Sequence, residues 1–255
     1  MKIFVASFSR SSDGALTKLI RRMKEEDIWT DDYAKADYIL APGDRIETLH
    51  FVIDRYNEGK NIIHLWAGEV SQGTHDELWR GFITQMSSMQ FCTNKEAYDN
   101  LEDVANAHIV GNIMFDNLET GEHHPPLEPY DVILYNPPTL LSREDIEKEV
   151  QSIVKRLDGT LYYWVEPNWD YKSDIVQPHV NQKTMLHGDF LDLLRNSRRF
   201  FTNSSCMFYE VPFLRPGPQE VIPVGIRNCD RESKHAKMDI PDATEKVISL
   251  LKKLK

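Results

Sequence analysis

Hydrophobic positions along the chain follow two alternating rhythms. Short unbroken apolar runs read as strands buried on both faces of a parallel sheet, as at 3–7, 36–41 and 61–66. Between them apolar residues recur at helical spacing, as Leu16, Leu19, Ile20 and Met23 do within 15–25. Continued along the chain, the first half predicts strands at 3–7, 36–41, 61–66, 90–93 and 107–110. Its helices fall at 15–25, from Pro42 to Asn57, at 75–87 and, in short form, after residue 93 and over 112–118. The stretch 119–129 holds Gly121, Pro125, Pro126 and Pro129, and reads as a linker with His123 and His124 solvated. The rhythm then restarts. Strands are predicted at 131–135, 160–165, 199–202 and 220–224. Helices are predicted at 143–157 and 190–194, from the turn after 202 through Glu210, and at 242–254.

This alternation predicts an α/β fold of two Rossmann-like doubly wound domains facing across a cleft. The expected boundaries are 1–120, a linker at 121–130, a nucleotide-binding domain at 131–240 and a terminal helix at 241–255. Open α/β sheets bind ligands beyond the carboxyl ends of their strands, and polar residues gather there. Arg10 follows the first strand in the turn 9–14, and Asp44 follows the second. Glu69, Asp76, Glu77 and Arg80 crowd the third junction, and Asn136 ends the first strand of the second half. The stretch Thr202–Glu210 has the arrangement that points backbone N–H groups at an anion. Ser204 and Ser205 add hydroxyl donors there, and Glu210 is placed to take sugar hydroxyls. Each feature has a plainer reading: an exposed arginine, a helix cap at Asp44, an acidic first turn, an Asn/Ser N-cap. Their common position at strand ends favours the functional reading of the group.

Composition narrows the partners. Apolar residues make up 41% and charged residues 27%, enough for a proper core. A net charge of −10 argues against nucleic acid, which is bound by a surplus of Lys and Arg, yet leaves room for a small phosphorylated ligand. Three scattered cysteines, Cys92, Cys206 and Cys229, form neither a disulfide framework nor a zinc motif. His75, Asp76 and Glu77 are adjacent and point in different directions on a helix, so neither a metal nor another cofactor is expected. The first apolar run is too short for a signal peptide and nothing resembles a membrane span. A cytoplasmic globular protein is expected.

Six pieces, taken in order, resemble the UDP-N-acetylglucosamine 2-epimerase family. They are Gly43–Glu47, His64–Glu69, Asp76–Arg80, Gly111–Asp116, Thr202–Glu210 and Gly225–Arg231. The resemblance implies a GT-B arrangement with a UDP-sugar in the cleft. It implies an enzyme closer to the hydrolysing branch, which makes N-acetylmannosamine for sialic acid synthesis. In that reading UDP is lost by anti elimination and water adds to the glycal-like intermediate. Asp44, Glu69 and Glu77 look like the carboxylates that move protons at the sugar. Arg10, Arg227 and Arg231 look like cations beside the diphosphate, Ser204 and Ser205 like the phosphate turn. Glu210 looks like the ribose ligand, and Phe190 falls where an aromatic contacts uracil. Asn136 stands where many members carry a catalytic His. The turn Asn203–Cys206 replaces a usual Asp-Ser-Gly-Gly, and the segment between Ser7 and Asp44 is short for the family. The same cleft would also suit a non-hydrolysing epimerase, a glycosyltransferase or a non-catalytic UDP-sugar binding module. Dimers are common in the family, so a homodimer is part of the expectation.

Overall fold

The computed structural model describes residues 1–8, 10–71, 73–101, 104–117, 126–168, 171–183, 185–228 and 242–254, and only the backbone of residues 10–12 and 117. The chain divides into two compact units, 1–70 with 76–117 and 237–255, and 71–75 with 118–236. Each is built on one parallel sheet.

The first sheet has strands β1 (Ile3–Val5), β2 (Tyr38–Pro42), β3 (Asn61–Leu65), β4 (Met89–Cys92) and β5 (Ala107–Ile109), in spatial order β1-β2-β3-β4-β5. One further bridge changes its meaning. Trp29 pairs in parallel with Ile3 on the free edge of β1; Ile3 N–H donates to Ile28 (2.8 Å), and Thr30 N–H to Ile3 (3.0 Å). The strand that would follow the first helix is thus reduced to a bridge, and the chain then returns past β1 to β2. Counting that segment, the order is the doubly wound 2-1-3-4-5-6, and the winding direction reverses at β1.

Side chains on successive strand residues point to opposite faces, and the helices divide accordingly. On one face, α1 (Arg10–Glu25) sets Leu16, Leu19 and Met23 against Ile3, Val5, Leu40 and Ile63. The last helix, α8 (Ala243–Leu251), lies in that same cluster through Ala243, Val247, Ile248 and Leu251. On the other face, α2 (Ile46–Asn57) and α3 (Asp76–Met86) bury Leu49, Val52 and Ile83 against Ile39, Ala41 and Ile62. A short α4 (Lys95–Asp99), capped by the Asn94 side chain on Ala97 N–H, follows β4.

The second sheet has β6 (Tyr130–Leu134), β7 (Leu161–Trp164), β8 (Arg199–Thr202) and β9 (Glu220–Pro223), in order β7-β6-β8-β9. This is again a 2-1-3-4 winding, with the reversal between β6 and β8. Helix α5 (Arg143–Val154) covers one face through Ile146, Val150 and Ile153. Helix α6 (His187–Arg195) covers the other through Leu191, Leu193 and Leu194.

Several predicted boundaries are corrected. Helix α1 begins at Arg10, so Arg10 is a first-turn residue and not part of a turn ahead of the helix. The short helix expected after β5 is a 3-10 helix over Ile113–Asn117. Helix α7 spans only Cys206–Tyr209, and Glu210 is its C-cap, because Pro212 follows in a 3-10 turn, Val211–Phe213.

Candidate functional site

In the first unit the residues beyond β2 and β3 converge on one side chain. Gly43, at φ +70, turns the chain out of β2, and α2 starts at Ile46 with Arg45 as an N-cap that makes no side-chain cap bond. Asp44 therefore does not cap this helix; its Oδ2 accepts a hydrogen bond from Nη2 of Arg80. Helix α3 puts Glu77 and Arg80 one turn apart on one face, and Nη1 of Arg80 donates to Glu77 Oε1 and to the Glu69 carbonyl. The Glu69 carboxylate accepts from the Thr93 hydroxyl just past β4. Arg80 is 6% exposed. Burial works against its charge, but Asp44, then Glu77 and Glu69, outweigh this and raise its pKa above the ordinary value. A buried guanidinium stays protonated and needs ionised partners. The guanidinium thereby fixes the positions of the Asp44 and Glu77 carboxylates.

His64, fully buried in β3, supports this arrangement. Its Nε2 lies 2.7 Å from the Gly43 carbonyl, which can only accept, so Nε2 carries the proton. Nδ1 then accepts from the Thr84 hydroxyl at 2.9 Å. Burial holds its pKa down to about 4, so the ring is neutral at pH 7 and ties the Gly43 turn to α3. Beyond β3, Trp66 adopts φ +66, a strained conformation for a bulky residue, and Gly68 has φ +77. A Cβ on Gly68 would meet the Ala97 carbonyl oxygen at 1.8 Å, so only glycine lets this loop lie against α4 beside Glu69.

In the second unit the strands part at β6 and β8, where the winding reverses. Asn203 bridges them: its Oδ1 accepts Asn136 N–H at 2.8 Å, and its Nδ2 donates to the Asn136 carbonyl at 2.7 Å. Asn228, at φ +60, donates through Nδ2 to the Asn203 carbonyl at 2.9 Å. The Asn136 side chain accepts Asn168 N–H at 3.2 Å through Oδ1. Along the following turn, Ser204 N–H donates to Thr202 Oγ1 at 2.9 Å, and Cys206 N–H donates to Ser204 Oγ at 3.3 Å. These two amides are thus capped within the turn. Phe190 on α6 packs edge-on to Phe200, with ring centroids 6.3 Å apart. Glu149 on α5 accepts from the Tyr135 hydroxyl (2.5 Å) and from Ile226 N–H (3.2 Å). Burial and then Glu149 push the Tyr135 phenol up, while Arg227 pulls it down, which puts the Arg227 charge beside this pair.

Asp44, Glu69 and Glu77 are thus brought together in the first unit. Asn136, Ser204, Ser205, Glu210, Phe190 and Arg227 belong to the second. The backbone of Arg10 opens α1 beyond β1; its side chain, like Arg231, Cys229, His123 and His124, lies outside the described residues. Arg80, around which the carboxylates meet, was visible in sequence only as one of several polar residues; its spacing of three from Glu77 was the available signal. The bracing roles of His64, Asn203 and Glu149 carried none. Among the described residues no group of His, Cys, Asp or Glu could hold a metal ion, and no helix is long and apolar enough to cross a membrane.

Comparison with known proteins gives a consistent picture. The family model described as UDP-N-acetylglucosamine 2-epimerase matches residues 7–255. No curated protein sequence matches the chain. Among solved structures, the UDP-GlcNAc 2-epimerase from Neisseria meningitidis, bound to UDP-GlcNAc, superposes with a TM-score of 0.74 at 12% identity, covering 100% of both chains. The Methanocaldococcus jannaschii UDP-GlcNAc 2-epimerase, in complex with UDP-GlcNAc and UDP, gives 0.61 at 14% identity over 96% of this chain and 82% of that one. The Rickettsia bellii UDP-N-acetylglucosamine 2-epimerase gives 0.58 at 13% identity over 86% and 78%. The two parallel sheets and these superpositions identify a GT-B-like fold.

Proposed function

Because this chain belongs to the UDP-N-acetylglucosamine 2-epimerase family, we propose that it is a hydrolysing 2-epimerase, converting UDP-GlcNAc or a modified relative to the free C2 epimer and UDP. The observation that supports this reading is that Asp44 and Glu77 meet one buried arginine through their carboxylates and Glu69 meets it through its main-chain carbonyl, beyond the adjacent ends of β2 and β3. A mere nucleotide binder would not need three acids gathered here. Inverting C2 requires removal of a weakly acidic proton and departure of an anionic UDP, and then delivery of water. One of Asp44, Glu69 and Glu77 would take the C2 proton and another would deliver one. Ser204, Ser205, Arg10, Arg227 and Arg231 would receive the diphosphate, and Phe190 and Glu210 the nucleoside.

One observation favours a second reading. Asn136 cannot carry a proton's charge at neutral pH, and its Oδ1 is occupied by Asn168 N–H. A UDP-sugar binding module without turnover would need nothing more from this position. Proton NMR of the protein with UDP-GlcNAc in deuterated water separates the two. Free N-acetylmannosamine with deuterium at C2, together with UDP, is the expected result. Saturation transfer to an unconverted nucleotide sugar would support the binding module, and no transfer would remove the nucleotide itself.

We also propose that two copies pair through the first unit. Helix α2 exposes Ile53 (40%) and Tyr56 (52%), and α3 exposes Leu78 (57%) and Phe82 (52%). Light scattering at micromolar concentration should give twice the chain mass. A cytoplasmic location fits the two buried free thiols, Cys92 and Cys206.

A further inference from the structure

We propose that Glu149 is a positioning residue that holds the loop after β9 in the shape that presents Arg227 to a diphosphate. This rests on the reading of Arg227 as a cation beside the diphosphate, and adds a residue of α5 that neither sequence motif nor family resemblance had marked. Strand β9 is at the edge of its sheet, so the loop beyond it, 225–228, has β8 as its only strand neighbour. A main-chain bond still joins Val224 N–H to the Thr202 carbonyl at 2.9 Å. Past that point side chains take over. Ile226 N–H donates to Glu149 Oε1 at 3.2 Å, and Asn228 Nδ2 donates to the Asn203 carbonyl at 2.9 Å. Arg227 is thus fixed through the residue before it and the residue after it. Both ends of the loop are left-handed, Gly225 at φ +67 and Asn228 at φ +60, which glycine and asparagine adopt most readily.

Glu149 stands three residues after Ile146 and four before Ile153, both buried, so it lies on the stripe of α5 that faces the core. A glutamate is seldom found there without partners. Its Oε2 accepts the hydroxyl of Tyr135 at 2.5 Å, and Tyr135, which follows β6, is fully buried. One carboxylate therefore joins α5, the end of β6 and the loop after β9. The approach is close, since a Cβ on Gly225 would collide with both oxygens of Glu149. Glycine is needed at this position for the carboxylate as well as for its φ. Arg227 pulls the Tyr135 phenol down, which places the guanidinium charge beside the clamp. A guanidinium whose main chain is already fixed loses less freedom when it meets a phosphate.

NMR titrations of UDP and of uridine test this on the wild-type chain and on Glu149→Ala, Glu149→Gln, Gly225→Ala and Arg227→Met. Both ligands carry the same nucleoside, so the ratio of their affinities isolates the diphosphate. Arg227→Met should lower that ratio by about tenfold, the worth of one hydrogen bond to a charged group. Glu149→Ala should lower it by about three- to tenfold with uridine affinity unchanged, and Gly225→Ala, which breaks the same contact from the other side, should do likewise. Glu149→Gln keeps an acceptor for Ile226 N–H and removes a negative charge beside Arg227, so its ratio should not fall. A Glu149→Ala or Gly225→Ala protein that keeps the wild-type ratio overturns the proposal, and the diphosphate reading stands if Arg227→Met still lowers it. A Glu149→Gln ratio as low as that of Glu149→Ala also overturns it, because charge and not loop geometry would then be the cause. So does equal loss of uridine and UDP in both Glu149→Ala and Gly225→Ala, which would mark a general role in the fold. An unchanged ratio in Arg227→Met, or a wild type that binds neither ligand, overturns the diphosphate reading and this inference together.

Discussion

Asn203 holds the main chain of Asn136 with both ends of its side-chain amide, at 2.8 and 2.7 Å, at the point where β6 and β8 part. The amide takes the place of the next rung of the ladder, because it offers one acceptor and one donor as a backbone residue would. An aspartate offers acceptors only and would set a carboxylate against the Asn136 carbonyl. Asn203→Asp should therefore lower stability by about 1–3 kcal/mol, the cost of an unsatisfied buried polar group. Urea denaturation followed by circular dichroism measures it, and an unchanged midpoint would mean the bracket contributes nothing.

Arg80 makes a sharper prediction. Arg80→Met removes the guanidinium that Asp44 and Glu77 share, and because both carboxylates reach solvent the cost should be about 1–3 kcal/mol. The milder changes Asp44→Asn and Glu77→Gln keep the shape of the cluster. Each should reduce turnover of UDP-GlcNAc by about 100-fold or more, the usual worth of an acid or base. UDP affinity should change little, since the nucleotide residues proposed belong to the other unit. A variant with near-native rate would remove that residue from the acid/base set.

Acid should weaken the second unit through Asp131. This fully buried carboxylate meets Arg198 at 2.9 Å and Arg199 at 2.5 Å. Burial pushes its pKa up, but the bonds from Arg198 and Arg199 outweigh that and hold it below the ordinary 3.8. A folded value below the unfolded one means that the contribution is complete above about 3.8 and is lost as pH falls through the folded value. Wild-type stability should thus drop on the acid side of pH 4, and Asp131→Asn should be weaker at neutrality with a shallower acid limb. Thermal melts from pH 2.5 to 7 show whether it is.

Gly68→Ala should be far more damaging than a single methyl group suggests. The new Cβ would lie 1.8 Å from the Ala97 carbonyl oxygen, and the backbone sits at φ +77. The loop beyond β3 would have to lift from α4, taking the Glu69 carbonyl away from Arg80. Loss of turnover should therefore accompany loss of stability. A variant with wild-type kinetics would show that this loop does not place the acids.

The alternation of apolar runs and helical spacing was enough to read both sheets, because parallel strands buried on two faces leave continuous hydrophobic segments. The gathering of Asp44, Glu69 and Glu77 was legible for the same reason: each follows a strand, and adjacent parallel strands end together. What lay hidden was contact across many residues. Trp29 carries no strand signal, since one bridge has no period, yet it decides where the first sheet reverses its winding. The extent of α7 was misread because Glu210 fits a helical face while Pro212 stops the helix just beyond it. Asn203 reads as a cap in sequence and acts as a brace between strands, which depends on Asn136, far back in the chain.

The return of α8 to the first unit has a consequence for synthesis. Leu16, Leu19 and Met23 share their cluster with Val247, Ile248 and Leu251, which leave the ribosome only after all of residues 118–236 have been made. At ordinary elongation rates this interval is on the order of ten seconds. During it the nascent first unit carries an uncovered apolar groove along α1, while the second unit, already complete, can fold behind it. The half of the chain that is translated first is therefore the half that matures last, and the one with most need of a chaperone.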